Sequence, residues 1–319
     1  MKYSAFNINF DSMGLNSGFP KSYRDPSFFE VADRFLLLAE KYSFKLTIFV
    51  IGRDLENPLN QEAVKKWAAM GHEIGNHSWS HRPDMGRHDR GDIRGEVEKA
   101  HQIITRVVGK EPKGFIAPSW AFSSVLADVL IEYGYEYDSS PFPSWLMLPL
   151  AMRIWYVHRK MDRGSGLLTF ENFKYALLGK RDPHLWPKGS NCQKGKGMKI
   201  NEGKIVLLPV PSTKMRVACW HTLSFILGKN GHQRILKNAL EQTKFFYYLM
   251  HPADLMTRGD LSNEYPCHFA RIDRPLKEKV EMLETSIRMI IDDGRTIVTM
   301  QELAENVLES TVDPDKNDP

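Results

Sequence analysis

Two histidines in this sequence stand at a spacing that suits metal binding. His77 and His81 flank Ser-Trp-Ser, and a separation of four residues would place both imidazoles on one face of a helical turn, where they could bind one cation. Position 78 is Ser rather than Glu, so the pair is not the HExxH signature of metalloproteases. Surface histidines at this spacing are the alternative. The stretch HEIGN directly before His77 favours the metal site, because it is typical of a strand.

The elements that must position such residues alternate along the chain. Short β-type runs are predicted at 3–10, 45–51, 72–76, 114–117, 136–138, 205–210, 245–250 and 296–299. Between them, apolar residues recur at helical spacing in 28–42, 61–70, 92–108, 123–133, 232–243 and 276–293. This alternation predicts βα units around a parallel sheet. The 319 residues are enough for one α/β barrel or two smaller domains.

Two segments depart from the alternation. Residues 142–203 are rich in Pro, Gly, Lys and Trp without a clear period, which predicts an insertion. Eleven Lys and Arg against three Asp and Glu lie between 151 and 200, whereas the whole chain carries only +4. The polar residues 309–319 are predicted to form a flexible tail after a single domain at 1–308.

Functional residues of a βα barrel lie at the carboxyl ends of the strands and in the loops that follow them. That rule selects polar and aromatic residues where apolar runs stop: Asp11, His77, His81, Pro118, Ser119, Trp120, Asp138 and His251. A capping or packing role is the alternative for Asp11, Asp138 and His251 taken singly.

Five ordered motifs resemble the polysaccharide deacetylase family, also called the NodB homology or carbohydrate esterase family 4 group. The matching stretches are NFDS at Asn9–Ser12, HSWSH at His77–His81, IAPSW at Ile116–Trp120, YDSS around Asp138, and LMHP at Leu249–Pro252. The resemblance implies a deformed (β/α)7-type barrel and one divalent metal ion, zinc first, with cobalt, manganese or nickel as alternatives. It also implies hydrolysis of an N-acyl group on an amino sugar.

The resemblance assigns roles to these residues. It implies that His77 and His81 are metal ligands, that Asp11 is the base, and that His251 is the acid, oriented by Asp138. Trp120, with Pro118 and Ser119, would line the acyl pocket.

Two positions depart from the family pattern. Ser12 stands where the family has a ligand aspartate, and Ile116 stands where it has the arginine that partners the base. The assignment of Asp11 as ligand or base therefore stays open. A single aspartate followed by a hydroxyl residue resembles the branch that deformylates a lipid-linked 4-amino-4-deoxyarabinose precursor.

Three dispersed cysteines and no signal-like start predict a cytoplasmic protein. The expected partner is an N-acylated glycan or glycolipid rather than a nucleic acid, because the net charge is small. The apolar and basic residues 145–200 also predict peripheral contact with the inner face of an anionic membrane, with a buried loop as the alternative. The oligomeric state is left open. Two rival functions are a non-catalytic glycan-binding relative and a hydrolase of a cyclic amide or ureide.

Overall fold

A computed structural model describes residues 1–13, 23–159, 170–187, 203–261 and 270–312. The described strands are β1 (Tyr3–Phe10), β2 (Leu46–Val50), β3 (Glu73–Asn76), β4 (Gly114–Phe115), β5 (Tyr137–Asp138), β6 (His184–Pro187), β7 (Lys204–Leu207), β8 (Phe245–Met250) and β9 (Thr296–Val298). The α-helices are α1 (Glu30–Lys41), α2 (Pro58–Ala69), α3 (Arg90–Val108), α4 (Ser124–Glu132), α5 (Met147–Arg159), α6 (Phe170–Leu178), α7 (Ser224–Gln242), α8 (Leu276–Asp292) and α9 (Met300–Val312). No helix among these residues is both long and apolar enough to span a membrane.

The strands form one sheet in the order β6-β7-β5-β4-β3-β2-β1-β8, and β9 pairs with β1. All of these pairings are parallel except the antiparallel pairing of β6 with β7. Strand β1 lies between β2 and β8. The carboxyl ends of β3, β1 and β8 therefore lie at the same edge of the sheet.

The sheet curls into a barrel. In a flat sheet β5 and β8 would be about 24 Å apart, because five steps of roughly 4.8 Å separate them. Instead, the Tyr247 hydroxyl of β8 lies 3.5 Å from the carbonyl oxygen of Ser139, directly after β5. Ala5, Phe49 and Tyr137, from three different strands, belong to one buried interior cluster. The predicted deformed (β/α) barrel is confirmed.

Successive side chains along each strand point alternately into the barrel interior and toward the helix layer. In β1, Phe6, Ile8 and Phe10 pack against the helices outside the sheet, in one cluster with residues of α1, α2 and α8. Ala5 belongs to the interior cluster, and Asn7 and Asn9, which alternate with the outward residues, are buried. The next inward position after Asn9 is Asp11, so the strand period itself directs that carboxylate toward the interior.

Most predicted elements are confirmed to within a few residues at each end, and two segments differ. The described part of the 142–203 insertion contains α5, α6 and β6, and β6 extends the main sheet instead of standing apart from it. Helix α9 continues to Val312, so the prediction of a flexible tail from residue 309 is wrong for its first four residues. Leu303, Ala304 and Val307 explain this, because they anchor α9 in the interior cluster. Residues 313–319 lie outside the described residues.

Candidate metal centre

The site is built from the first residue after each of three parallel strands of the sheet. Asp11 follows β1, His77 follows β3 and His251 follows β8. The last residues of these strands, Phe10, Asn76 and Met250, face the helix layer, so the following residue in each case faces the barrel interior.

His81 reaches the same place from an irregular loop, so the predicted helical turn is wrong. Ser78 and His81 both have left-handed backbone angles, with φ of 64° and 55°. The loop is fixed at both ends. The amide and hydroxyl of Ser80 donate to the Glu96 carboxylate at 2.9 and 2.7 Å, and the His81 amide donates to the Ser78 hydroxyl at 3.1 Å.

Asp11, His77 and His81 converge on one point. The Nε2 atoms of His77 and His81 each lie 3.1 Å from Asp11 Oδ1, and the two imidazole centroids are 4.8 Å apart. Within the described residues, these three side chains form a possible metal site, because one potential ligand atom from each lies within 4.8 Å of the other two. The Asp11 side chain is 38% exposed, so the cluster opens toward solvent.

The protonation of His77 is fixed by its second nitrogen. Nδ1 lies 2.7 Å from the carbonyl oxygen of Ile116, which only accepts, so Nδ1 carries the hydrogen and Nε2 presents its lone pair to the cluster. Burial lowers the pKa of His77 and favours the neutral ring. At Asp11, burial alone would raise the pKa, but the neighbouring histidines, His81 foremost, lower it well below its usual range.

Ser12 is hydrogen-bonded to a second carboxylate. Its hydroxyl donates to Asp54 Oδ2 at 2.5 Å, and both side chains are buried. Burial raises the pKa of Asp54 to about 7. A buried carboxylate therefore already lies behind position 12, and Asp11 is the carboxylate that meets the two histidines.

His251 also faces Asp11. Its Nε2 lies 3.9 Å from Asp11 Oδ2, whereas the 3.1 Å contacts of His77 and His81 are to Oδ1. Its Nδ1 lies 3.3 Å from the Thr222 hydroxyl and 3.8 Å from Asp254 Oδ2. Asp254 is fully buried, and burial alone would raise its pKa, but the charge of Arg271, together with the hydrogen bond and charge of His251, lowers it.

Asp138 does not meet His251, which corrects the predicted orienting contact. It lies in register with Phe115 and Leu207, whose side chains pack against α3 and α4, so Asp138 faces that outer side. Its Oδ1 accepts hydrogen bonds from the amide and hydroxyl of Ser140, and among the described residues no hydrogen bond or ion pair joins it to His251. The position that faces inward after β5 is Ser139.

Pro118, Ser119 and Trp120 form a short 3-10 turn beside the site. Ser119 and Trp120 both have left-handed backbone angles, with φ of 53° and 54°, which non-glycine residues adopt at an energetic cost. The Trp120 ring packs against Phe142 at 4.8 Å and lies edge-on to His251 at 6.5 Å between centroids. The turn thus places an aromatic ring next to His251.

Sequence reasoning missed three residues of this arrangement, Asp54, Thr222 and Asp254. Asp54 follows the carboxyl end of β2, so the rule that selected Asp11 would also have selected it. Asp254 follows His251 by three residues, and its carboxylate accepts a hydrogen bond from the His251 amide at 2.8 Å. Thr222 carries no comparable signal, since it precedes a helix far along the chain.

Comparison with known proteins agrees with this fold and with part of the sequence. A sequence model of the family described as polysaccharide deacetylase matches residues 20–137. A peptidoglycan deacetylase of Helicobacter pylori is 33% identical over 109 residues, which are 34% of this chain and 36% of that protein. The matches span about a third of the length of three curated relatives and 53% of a fourth.

Solved structures share the barrel over nearly the whole chain. A crystal structure from Mycobacterium smegmatis that is assigned to the polysaccharide deacetylases superposes with a TM-score of 0.56 at 16% identity, over 97% of this chain and 92% of that one. The PuuE allantoinase gives a TM-score of 0.55 at 15% identity, over 95% and 89% of the two chains. Such identities establish the fold alone. The predicted resemblance to the polysaccharide deacetylase family is therefore confirmed, in sequence over residues 20–137 and in fold over the barrel.

Proposed function

We propose that this protein is a metal-dependent hydrolase that removes an N-acyl group, acetyl or formyl, from an amino sugar in a polysaccharide or lipid-linked glycan. The observation that carries the proposal is the convergence of Asp11, His77 and His81 on one point, opposite the imidazole of His251. The family match over residues 20–137 supports the reaction class.

The donor set fits a divalent metal. Two imidazole nitrogens and one carboxylate oxygen leave a position for water or substrate, which is the composition of catalytic zinc sites, and cobalt, manganese and nickel accept similar ligands. The hydrogen bond from His77 Nδ1 to Ile116 is the partner contact that orients a ligating imidazole. When bound, the ion polarises the acyl oxygen and lowers the pKa of water. Asp11 Oδ1, His77 Nε2 and His81 Nε2 would hold it.

We assign different roles to the two carboxylate oxygens of Asp11. Oδ1 lies among the ligand atoms, whereas Oδ2 faces His251 at 3.9 Å. We assign Oδ2 as the atom that accepts a proton from the attacking water, and His251 Nε2 as the atom that donates a proton to the leaving amine. The ligand role and the base role, which the sequence left as alternatives, thus belong to separate atoms of one side chain.

Trp120 forms the wall of the acyl site in this proposal. Its ring is 7% exposed and lies between Phe142 and the His251 ring. The surface beside the acid is therefore apolar, which suits a small acyl group and excludes bulk water from the leaving amine.

The finer substrate class rests on sequence features. Asp11-Ser12 favours the deformylase-like branch, and the eleven basic residues between 151 and 200 favour a phosphate-bearing or lipid-linked glycan at the inner face of the cytoplasmic membrane. Six of these eleven, Lys160, Arg163, Lys188, Lys194, Lys196 and Lys199, lie outside the described residues.

The test combines metal content with acyl release. Purified protein is analysed for metal and assayed for acetate and formate released from N-acetylated and N-formylated amino sugars, with and without chelator. We expect about one equivalent of metal, activity lost in chelator and restored by zinc or cobalt, and loss of both metal and activity in His77→Ala. Asp11→Asn should weaken metal binding and abolish turnover.

A variant outside the cluster controls for the handling of the protein. His184→Ala removes a histidine on β6 and should retain metal and activity. Acyl release that survives both chelator and His77→Ala would contradict the proposal.

A non-catalytic glycan-binding role is the second candidate. Ser12 and Ile116 favour it, because both replace charged residues of the family pattern. Glycan binding by protein that takes up no metal at micromolar concentration would support this second candidate and contradict the first.

A further inference from the structure

Beneath His251 lies a buried carboxylate, Asp254, outside the five sequence motifs. Asp254 is fully buried, and its two oxygens have separate tasks. Oδ2 accepts a hydrogen bond from the His251 amide at 2.8 Å and lies 3.8 Å from His251 Nδ1. Oδ1 accepts a hydrogen bond from the Thr222 hydroxyl at 3.1 Å and lies 3.0 Å from Arg271 Nε.

Surrounding groups hold Asp254 in this place. The Asp254 amide donates to the His251 carbonyl at 2.9 Å, so the turn folds back on the end of β8. Lys279 is completely buried, and its ammonium donates to the carbonyls of Ala253 and Met256 on either side. Arg271 supplies the charge that lets a buried carboxylate stay ionised.

The hydrogen-bond directions around Thr222 decide which nitrogen of His251 carries a hydrogen. A hydroxyl has one hydrogen, and Thr222 gives it to a carboxylate, which only accepts. Toward His251 Nδ1, at 3.3 Å, the Thr222 oxygen therefore acts as acceptor. Nδ1 must then be the protonated nitrogen, which leaves Nε2 as the atom that exchanges a proton on the side of Asp11.

Asp138 has none of these contacts. Its side chain faces the helix layer and accepts hydrogen bonds from the amide and hydroxyl of Ser140. Asp138 also lacks a cationic partner such as Arg271 provides for Asp254, among the residues that the structure describes.

We propose that Asp254, acting with Thr222, is the positioning residue that holds His251 with Nε2 toward Asp11, in place of Asp138. The inference rests on the proposed function for its catalytic meaning, but the position of the ring is independent of that function. Asp254 does not touch the reacting atoms; it acts through the imidazole.

The test uses Asp254→Asn, Thr222→Val and Asp138→Asn, with the exposed Asp292→Asn on α8 as control. Each metal-loaded variant is assayed on an N-acetyl amino sugar and on 4-nitrophenyl acetate, whose leaving group needs no protonation. We expect Asp254→Asn to lower kcat for the amide at least tenfold with KM changed less than threefold, and to change ester hydrolysis less than threefold. Thr222→Val should show the same pattern more weakly.

General damage to the fold would lower both reactions together, and that result would overturn the proposal. A loss of amide turnover in Asp138→Asn with Asp254→Asn unaffected would also overturn it.

Crystal structures give a readout that does not depend on activity. If the wild-type protein releases no acyl group, the proposed function fails, and the structures alone decide the inference. A His251 ring turned away from Asp11 in Asp254→Asn supports it. A ring left unchanged in both Asp254→Asn and Thr222→Val overturns it.

Discussion

A prediction about Asp138 distinguishes the environment that the structure gives this residue from the role that the family pattern implies for it. Its side chain is completely buried, Oδ1 is hydrogen-bonded by Ser140, and Oδ2 has no hydrogen-bond partner among the described residues. Burial without a countercharge raises its pKa from 3.8 to about 7. The substitution Asp138→Asn keeps the size of the side chain and the acceptor oxygen but removes the titration.

The direction in which stability changes with pH follows from proton binding by Asp138. Between pH 3.8 and about 7, the folded protein holds a proton on Asp138 that the unfolded chain has released, so its contribution to stability is present at low pH and is lost as pH rises through about 7. Integrating this difference from about pH 5 to about pH 8 gives a loss of roughly 2 to 3 kcal/mol in the wild type. Asp138→Asn does not lose this stability, because asparagine does not titrate.

Urea unfolding at several pH values between these limits measures the difference. We expect the free energy of unfolding of Asp138→Asn, relative to wild type, to increase by about 2 to 3 kcal/mol from the acid to the alkaline end. The exposed Asp292→Asn should show no such trend. A relative stability that is flat or falls with pH would refute the reasoning, because it would mean that Asp138 is ionised and paired with a cation in the folded protein.

Two further predictions concern position 12 and the basic segment. In the wild type, Asp54 Oδ2 lies 2.5 Å from the Ser12 hydroxyl. Ser12→Asp introduces the family's aspartate and places a second carboxylate against Asp54. This substitution should therefore lower the melting temperature, and more at pH 8 than at pH 5. An unchanged melting temperature at pH 8 would contradict this. Wild-type protein should sediment with anionic liposomes at low salt and be released by salt; absence of sedimentation would remove the membrane contact from the proposal.

The fold was largely predictable because strand and helix periods are local. Runs such as KLTIFVI and FFYYLM mark buried strands whatever their neighbours. The insertion was not predictable in the same way. Strand β6 is held by pairing with β7, a contact that no pattern within residues 184–187 encodes. Helix α9 had a local signal in Leu303, Ala304 and Val307, and the polar residues around them concealed it.

The candidate site was predictable where strand ends alone decide it. Asp11, His77 and His251 follow their strands and face inward, as expected. Asp138 was misplaced because one residue of register decides the face: Asp138 is the last residue of β5, and Ser139 is the one that faces inward. Asp54 and Asp254 required knowledge of which loop lies beside which, and that depends on tertiary packing.

The pairing of β1 with β8 and β9 has a consequence for how the protein is made. Tyr3 pairs with Phe245 and with Thr296, so β1 lacks these neighbours until the more than 200 residues that separate them from it have been synthesised. Asp11, His77 and His81 belong to early-synthesised segments, whereas His251 arrives with β8. A nascent chain would therefore acquire its histidine-carboxylate cluster first and its acid last, and during that interval the exposed edge of β1 is the surface for chaperones to protect.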